Sequence, residues 1–575
     1  MGHHHGPLKF IASPLKHVEH SEKEEQTPLG GSDQSLNKTN TDTEVLPFQN
    51  NDGELHDTPA FHRHEEATTS ELFYDLFFVA NLTTFTSLLE INDHKSLSAY
   101  IGFFCVLWFT WYQVSLYDVR FSTDSIFERA CKALHFGTMV GFAVMGPQWK
   151  PGEETNDYST FKAFSLILMV SRLVLVVQYG STLYFTRNYR SARLPLLLVM
   201  GSYTVAAILY GALTAAFPKG DDYTTSNVYI AWYIISIAET LLTTAVSCRW
   251  RVISFKGTHL IERLSLLTLI ILGEGIIVVC KAISKIVKNY YIFTASVVGQ
   301  IIAAVLIIYF LYMLYFDRLR DTHFGTIKQQ IWAFLHFPLH ITLVLVLEGV
   351  SNFVVWRQAV QGLQTVLGDL SLDFSATYDT SDEFISQVNS TAWNDVFDYV
   401  PKGIDFTDAV NDVNSALVEV ANTWNDTSEE AINAGVNALN DIIFALANTV
   451  LESLSIEAPK SKIKNGVKPS QEDQTAKLFG VFSLVFIYFF VTAGLTLIIM
   501  GILAWLSEKP KKLGDYVRSS ANFVVGLGLC LLSLMSLTEA QGNFAFSSWV
   551  LPTLCLSLFL VVVVNHIRFG KASGH

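Results

Sequence analysis

Apolar residues in this 575-residue chain are gathered into long blocks separated by short polar breaks. A helix needs about 20 predominantly apolar residues to cross the hydrocarbon core of a bilayer. Twelve such segments can be drawn, at 71–92, 97–117, 126–147, 159–185, 192–217, 227–249, 259–286, 291–316, 326–357, 476–506, 517–538 and 547–568. Two regions break the rhythm. Residues 1–70 are rich in Ser, Thr, Asn, Asp, Glu and Pro without periodicity, the composition of a disordered tail. Residues 358–475 are acidic, and between 358 and 459 seventeen Asp and Glu face a single Lys402. Within that stretch Val410, Val413, Leu417, Val420 and Trp424 recur at steps of three and four, as do Val436, Leu439, Ile443, Leu446 and Val450. This period predicts a hairpin of two helices near 407–424 and 428–455. Between them Thr427-Ser428-Glu429-Glu430 fits a capping box, with Thr427 as the cap, Glu430 returning to it, and Asn425 at the tip.

Composition turns the pattern into a class. The chain is 50% hydrophobic and 16% charged, with mean hydropathy +0.33, against about 25% charge in an average soluble chain. A soluble enzyme is excluded on this ground. A net charge of −13 without a basic patch excludes nucleic acid as a partner. All six cysteines (Cys105, Cys131, Cys248, Cys280, Cys530, Cys555) fall in expected spans and no CxxC occurs, which speaks against a disulfide framework or a cysteine metal site. No signal-peptide pattern opens the chain, so the first span is expected to direct insertion. His3, His4 and His5 lie in the tail and carry no site.

Basic residues set an expected orientation. One set of short loops and helix ends holds Arg120, Arg187, Arg190, Arg193, Arg249, Arg251, Lys256, Arg318, Arg320, Lys328, Lys509, Lys511, Lys512, Arg518, Arg568 and Lys571, sixteen in all, while the other holds six, Lys95, Lys150, Lys219, Lys281, Lys285 and Lys288. That bias predicts cytosolic termini and an extracellular acidic loop in the plasma membrane of a eukaryote. Asn389-Ser390-Thr391 and Asn425-Asp426-Thr427 in the loop are glycosylation acceptors by pattern.

The apolar segments also repeat. Glu71-Leu72-Phe73 at the start of span 1 returns as Glu262-Arg263-Leu264 in span 7, an offset of 191. Leu116-Tyr117-Asp118-Val119-Arg120 returns as Leu314-Tyr315-Phe316-Asp317-Arg318, with the aspartates 199 apart, and His135 returns as His336, 201 apart. An even number of intervening spans makes the copies parallel, related by an axis along the membrane normal. The expected fold is therefore all-α, a polytopic membrane protein of about twelve helices in two parallel six-helix repeats with an extracellular helical hairpin. Its parts are the tail 1–70, a first repeat 71–250, the opening of the second repeat 259–357, the acidic loop 358–475 and the last three helices 476–568.

The stretch Glu71-Leu72-Phe73-Tyr74-Asp75-Leu76-Phe77-Phe78-Val79 carries a family resemblance, together with Arg120-Phe121-Ser122-Thr123-Asp124, His259-Leu260-Ile261-Glu262-Arg263 through Leu272-Gly273-Glu274, and Leu335-His336-Phe337-Pro338. Jointly these resemble the low temperature requirement A (LtrA) family of polytopic membrane proteins, of which this chain reads as a eukaryotic, fungal member. The resemblance implies a membrane protein, with bacterial members linked to growth in the cold. It implies no substrate, and the acidic tail and long outer loop depart from the shorter bacterial pattern.

Ionisable groups deep in a bilayer cost at least about 2.5–3.5 kcal/mol each, so each needs a reason. Arg172, Glu239, Glu274, His135, His336, His340 and Glu348 lie inside spans, and Glu71, Asp75, Asp118, Arg120, Glu262, Asp317 and Arg318 mark one set of helix ends. Arg172 reads either as a buried ion-pair partner of Glu239 or Glu274 or as a substrate-facing cation. His135 and His336 read either as hydrogen-bonded core residues or as a relay, since a His titrates near neutral pH, with Glu274 beside them. Gly273 and Gly275 flank Glu274 and would let neighbouring helices approach. His336 and His340 at i, i+4 with Glu348 could hold a metal, but HExxH is absent and no metal is expected. The favoured function is a transporter or channel, proton-coupled or proton-conducting, for a small ion or molecule, with a polar path between the halves and a lipid bilayer as surroundings. The alternatives are an intramembrane enzyme acting on lipid and an accessory membrane scaffold. Homodimer formation is a further expectation, and no cofactor is indicated.

Overall fold

The computed structural model describes residues 8–15, 59, 61, 66–88, 91–152, 155, 157–218, 224–255, 258–288, 294–319, 326–401, 404–456, 471–507, 513–538 and 540–567. Most of the tail 1–70, including His3, His4 and His5, lies outside the described residues, as do Lys219, Lys256, Arg320, Lys402, Lys509, Lys511, Lys512, Arg568 and Lys571. Seventeen α-helices and no named β-strand are found among the described residues. They are α1 (Thr69–Leu88), α2 (His94–Phe121), α3 (Ile126–Met145), α4 (Ser159–Phe185), α5 (Arg190–Ala216), α6 (Ile230–Arg249), α7 (Leu260–Lys288), α8 (Ala295–Phe316), α9 (Thr326–Phe334), α10 (His336–Ser375), α11 (Ser381–Asp395), α12 (Thr407–Thr423), α13 (Glu429–Ser453), α14 (Gln471–Ser507), α15 (Leu513–Leu532), α16 (Ala540–Ala545) and α17 (Val550–His566).

Ten stretches are long and apolar enough to cross a membrane among the described residues, and the chain is an all-α polytopic membrane protein. Nine of the ten coincide with expected spans; the tenth is α13, the second limb of the acidic hairpin. Expected spans 1, 3 and 12 are α1, α3 and α17. The last is only 17 residues long, α1 carries Glu71 and Asp75, and α3 carries Glu128, Arg129 and Lys132.

Packing repeats along the chain. In the first half α1 touches α2 and α3, α3 touches α4, α4 lies along α5, α5 meets α6, and α6 returns to α2. In the second half α7 touches α8 and α10, α10 touches α14, α14 lies along α15, α15 meets α17, and α17 returns to α8. The α14/α15 pair is close because both sides are glycine: a Cβ on Gly494 would lie 2.3 Å from the Gly526 carbonyl oxygen, the small-residue contact by which membrane helices approach. Helix α2 is buried on every side from Gly102 to Phe121, and its buried polar residues Gln113, Asp118 and Arg120 are met by side-chain or backbone partners.

The ninth expected span differs from its expectation. It breaks between Phe334 and His336 because Pro338 lacks an N–H and its ring clashes with the carbonyl of residue 334. Beyond the break α10 continues for 40 residues, roughly 60 Å, through the boundary expected at 357. The hairpin limbs α12 and α13 match the expected pair, with α11 added before them. Its cap is Ser428 rather than Thr427: the Ser428 hydroxyl accepts from Ala431 N at 3.2 Å. Val413, Leu417, Val420, Leu446 and Val450 are buried as expected, whereas Val436 is 51% exposed and the buried residues of α13 run through Ala431, Ala438 and Ile442 instead.

Candidate functional site

The two halves meet along α1 and α7, parallel helices whose polar residues pair across the seam. At its lower end, the end bearing Arg120 and Arg263, α1 supplies acids and α7 supplies bases. His259 donates from Nε2 to both carboxylate oxygens of Glu71 at 3.2 and 3.1 Å, and Thr68 N donates to Glu71 at 2.7 Å. One turn on, Arg263 donates to Asp75 at 2.5 Å, and Trp111 of α2 donates to the same oxygen at 2.7 Å. Arg263 also reaches Asp118 at 3.4 Å and Glu71 at 3.5 Å, while Lys132 of α3 bonds Asp118. All of these side chains are buried, and Arg263 stands over the Trp111 ring. Asp75 Oδ2, Asp118 Oδ1 and Arg263 Nε make no hydrogen bond among the described residues, so the cluster is not fully satisfied there.

Above this cluster the seam is apolar, with Phe78, Leu82, Leu264, Leu267 and Ile271 buried. Then Thr83 of α1 donates to Glu274 Oε2 at 2.5 Å, leaving Glu274 Oε1 buried without a partner. Gly275 allows close packing here, since a Cβ on it would lie 2.6 Å from Leu347 Cδ1, whereas Gly273 faces open space. One helical turn beyond Glu274, Val278 lines a cavity of about 230 Å³ that opens at the hairpin end. Thr86, Ser87, Lys281, Lys285, Glu348 and Asn352 are among its walls.

The remaining buried charges sit elsewhere. Arg172 and Glu239 form a closed ion pair inside the first half, with Nε–Oε1 and Nε–Oε2 distances of 2.8 and 3.1 Å and a further bond to Thr110 at 3.1 Å. His135 donates to Gln178 at 2.9 Å, Gln178 donates to Glu128 at 2.8 Å, and Tyr117 donates to Glu128 at 2.7 Å; His135 Nδ1 has no partner. His336 donates from Nδ1 to the Trp332 carbonyl at 2.9 Å and accepts from Tyr315 at 2.8 Å. His340 accepts from the Trp108 indole at 3.0 Å, which fixes its proton on Nε2 for donation to Thr268 at 2.8 Å. Glu274 makes no hydrogen bond to any of these histidines. At the other helix ends Arg120 is buried, donating to Leu116 O, Ser247, Ile253 O and Tyr179, whereas Asp317 is exposed beside His566 at 3.5 Å. Glu262 and Arg318 are half-buried.

Reading by sequence singled out Glu71, Asp75, Asp118 and Glu274 but left Arg263, His259, Lys132 and Trp111 without roles. The usable signal was arithmetic: three buried acids at one end of the bundle require cations at the same level, and Arg263 is the base within the span 7 motif. A family model described as bacterial low temperature requirement A protein (LtrA) matches residues 66–369. The chain belongs to the LtrA family. No curated protein and no solved structure matches it. The LtrA match begins before Glu71 and runs through Glu348, so both sides of the α1/α7 seam lie within it. Among the described residues no cluster of three or more His, Cys, Asp or Glu could hold a metal ion.

Proposed function

We propose that this LtrA protein is a transporter whose path follows the α1/α7 seam between two parallel six-helix repeats, and that a proton on Glu274 is coupled to passage. The observation that carries the reading is the asymmetry of the seam. One end is sealed by the Glu71, Asp75, Asp118, Arg263, Lys132 and His259 network; the other holds a cavity one turn above a carboxylate with an unpartnered oxygen. Opening would exchange the ion pairs at one end for a cavity there, the two-state rearrangement that alternating access requires. The equivalent packing of α1–α6 and of α7, α8, α10, α14, α15 and α17 supports the repeat. In this reading the chain crosses a plasma membrane twelve times with both termini cytosolic, and Asn425, exposed at the hairpin tip, is the glycan acceptor in preference to Asn389 within α11.

Arg172, Glu239, His336 and His340, each already paired, belong in this reading to the walls rather than to the path. The test is flux into proteoliposomes under an imposed pH gradient. Glu274→Gln is expected to abolish the pH dependence while the purified protein keeps its unfolding temperature. Unchanged pH-dependent flux in that variant overturns the coupling, and absence of any gradient-driven flux in the wild-type protein overturns the transporter in favour of a scaffold held by buried charges.

A further inference from the structure

The cavity at the hairpin end has walls of distinct chemistry. Lys281 and Lys285 stand one turn apart on α7. Glu348, Ser351, Asn352 and Trp356 come from α10, and Phe482 and Val485 from α14. Leu454, Ser455 and Ile456, which close the end of hairpin helix α13, form the cover. Ser455 takes φ 58° there, the left-handed turn that ends a helix and folds the chain back over what lies beneath. Trp356 is 4% exposed, stacks on Phe482 with ring centroids 3.8 Å apart, and its indole N–H has no acceptor among the described residues. A buried N–H without a partner is costly, and at the rim of a cavity it is met by an acceptor on a ligand.

The register of α7 on α10 orders these groups by depth. Ser351 reaches the Val278 carbonyl at 3.3 Å, and Gly275 faces Leu347. Lys281 is therefore level with residue 354 and Lys285 with residue 358, on either side of Trp356, and Glu348 lies about 12 Å deeper than Trp356 at 1.5 Å per residue. Two ammonium groups and one indole N–H form an outer donor set suited to a carboxylate, and a carboxylate forms the inner acceptor. Glu348 has two oxygens with about four lone-pair directions, so it can accept an ammonium in addition to any protein partner. We infer that the cavity binds a small amino-carboxylate with an apolar body, its carboxylate toward Lys281, Lys285 and Trp356, its ammonium toward Glu348, and its body against Phe482, Val485 and Val278. A phospholipid headgroup has the same two charges in the opposite order of depth, with the amine outermost, so the depth order favours a free molecule. The inference rests on the transporter reading only in calling this molecule the substrate; the site itself can be tested without flux.

Binding is to be measured with the full chain in detergent, following tryptophan fluorescence and thermal shift. The probes are L-phenylalanine, 3-phenylpropionate lacking the amine and phenethylamine lacking the carboxylate. Phenylalanine is expected to bind at least about tenfold more tightly than either fragment, as two charge-assisted contacts should exceed one. Lys281→Ala/Lys285→Ala, at side chains that are exposed and half-buried, is expected to fold normally and to weaken phenylalanine by about tenfold or more. Glu348→Gln is expected to bring phenylalanine and 3-phenylpropionate to parity, and Trp356→Phe to remove the fluorescence response. Equal affinity for all three probes, unchanged phenylalanine binding in the double lysine variant, or displacement of phenylalanine by phosphatidylethanolamine in nanodiscs each overturns the inference. Binding without flux would leave the site standing and remove the transporter; flux without phenylalanine binding would do the reverse.

Discussion

The two halves of the molecule share a packing order and differ in where they keep their charges. In the first half Asp118 is wholly buried between Lys132 and Arg263, and Arg120 is enclosed by four oxygen acceptors. The corresponding Asp317 is 42% exposed beside a His566 that is itself 56% exposed. Glu71 is buried while its counterpart Glu262 is half-exposed, and the residue after each is Leu72 in α1 but Arg263 in α7. The two halves are not equal in their charges; they are complementary. One copy presents carboxylates and the other a guanidinium and an imidazole, so the seam closes as a heterologous contact.

Removing the second half's contribution should therefore do far more damage than trimming its own charged end. Arg263→Ala leaves Asp75 in the interior with the Trp111 indole but no cation, and Asp118 with Lys132 alone, and is expected to cost about 3–5 kcal/mol, seen as loss of monodisperse protein or a large drop in unfolding temperature in detergent. Arg318→Ala, at a half-exposed helix end, should stay within about 1 kcal/mol. Equal effects of the two substitutions would contradict the asymmetry.

A smaller effect separates walls from path. His340→Phe leaves the Trp108 indole without its acceptor and is expected to cost about 1–3 kcal/mol, again by thermal unfolding, with the pH profile of flux unchanged. A flux profile that follows the histidine would return His340 to the path.

The helices of the membrane core were legible in the sequence because a bilayer-spanning segment must be apolar over its whole length, and the expected blocks at 159–185 and 259–286 meet α4 and α7 almost residue for residue. The break at His336 was carried by Pro338 but was hidden inside an apolar run. Pairings were harder to read. Arg263 finds Asp75 across 188 residues of chain, a contact that no local pattern encodes, and the histidine repeat suggested facing groups where the fold gives each histidine a different partner. Titratable residues at matching depth do not imply a shared cavity, since helix rotation decides which wall each one faces.

The outer hairpin offers the finest contrast, because its cap lies one residue from where the motif placed it. Ser428→Ala is expected to cost about 1 kcal/mol, with Thr427→Ala silent, both measured by thermal unfolding. Asp426 adds a pH signature. Its carboxylate accepts from Ser428 N at 2.9 Å, and the Ser428 backbone bond, then the Ser428 side chain, hold it below the usual carboxylate range. A depressed folded value means the contribution is fully present above the ordinary aspartate range and is lost as pH falls through the lower folded value. Circular dichroism under acid should show slight loss of hairpin helicity in that window, absent in Asp426→Asn.

The unbroken run of α10 from His336 to Ser375 makes it a rod with one end beside the His336/His340 pair and the other carrying the acidic hairpin. A tilt of about 10° about its lower end would sweep the far end through roughly 10 Å. The hairpin is thus mechanically geared to the helix that bears Glu348. Whatever grips the hairpin, an antibody fragment included, holds a lever whose short arm lies at the level of Glu348.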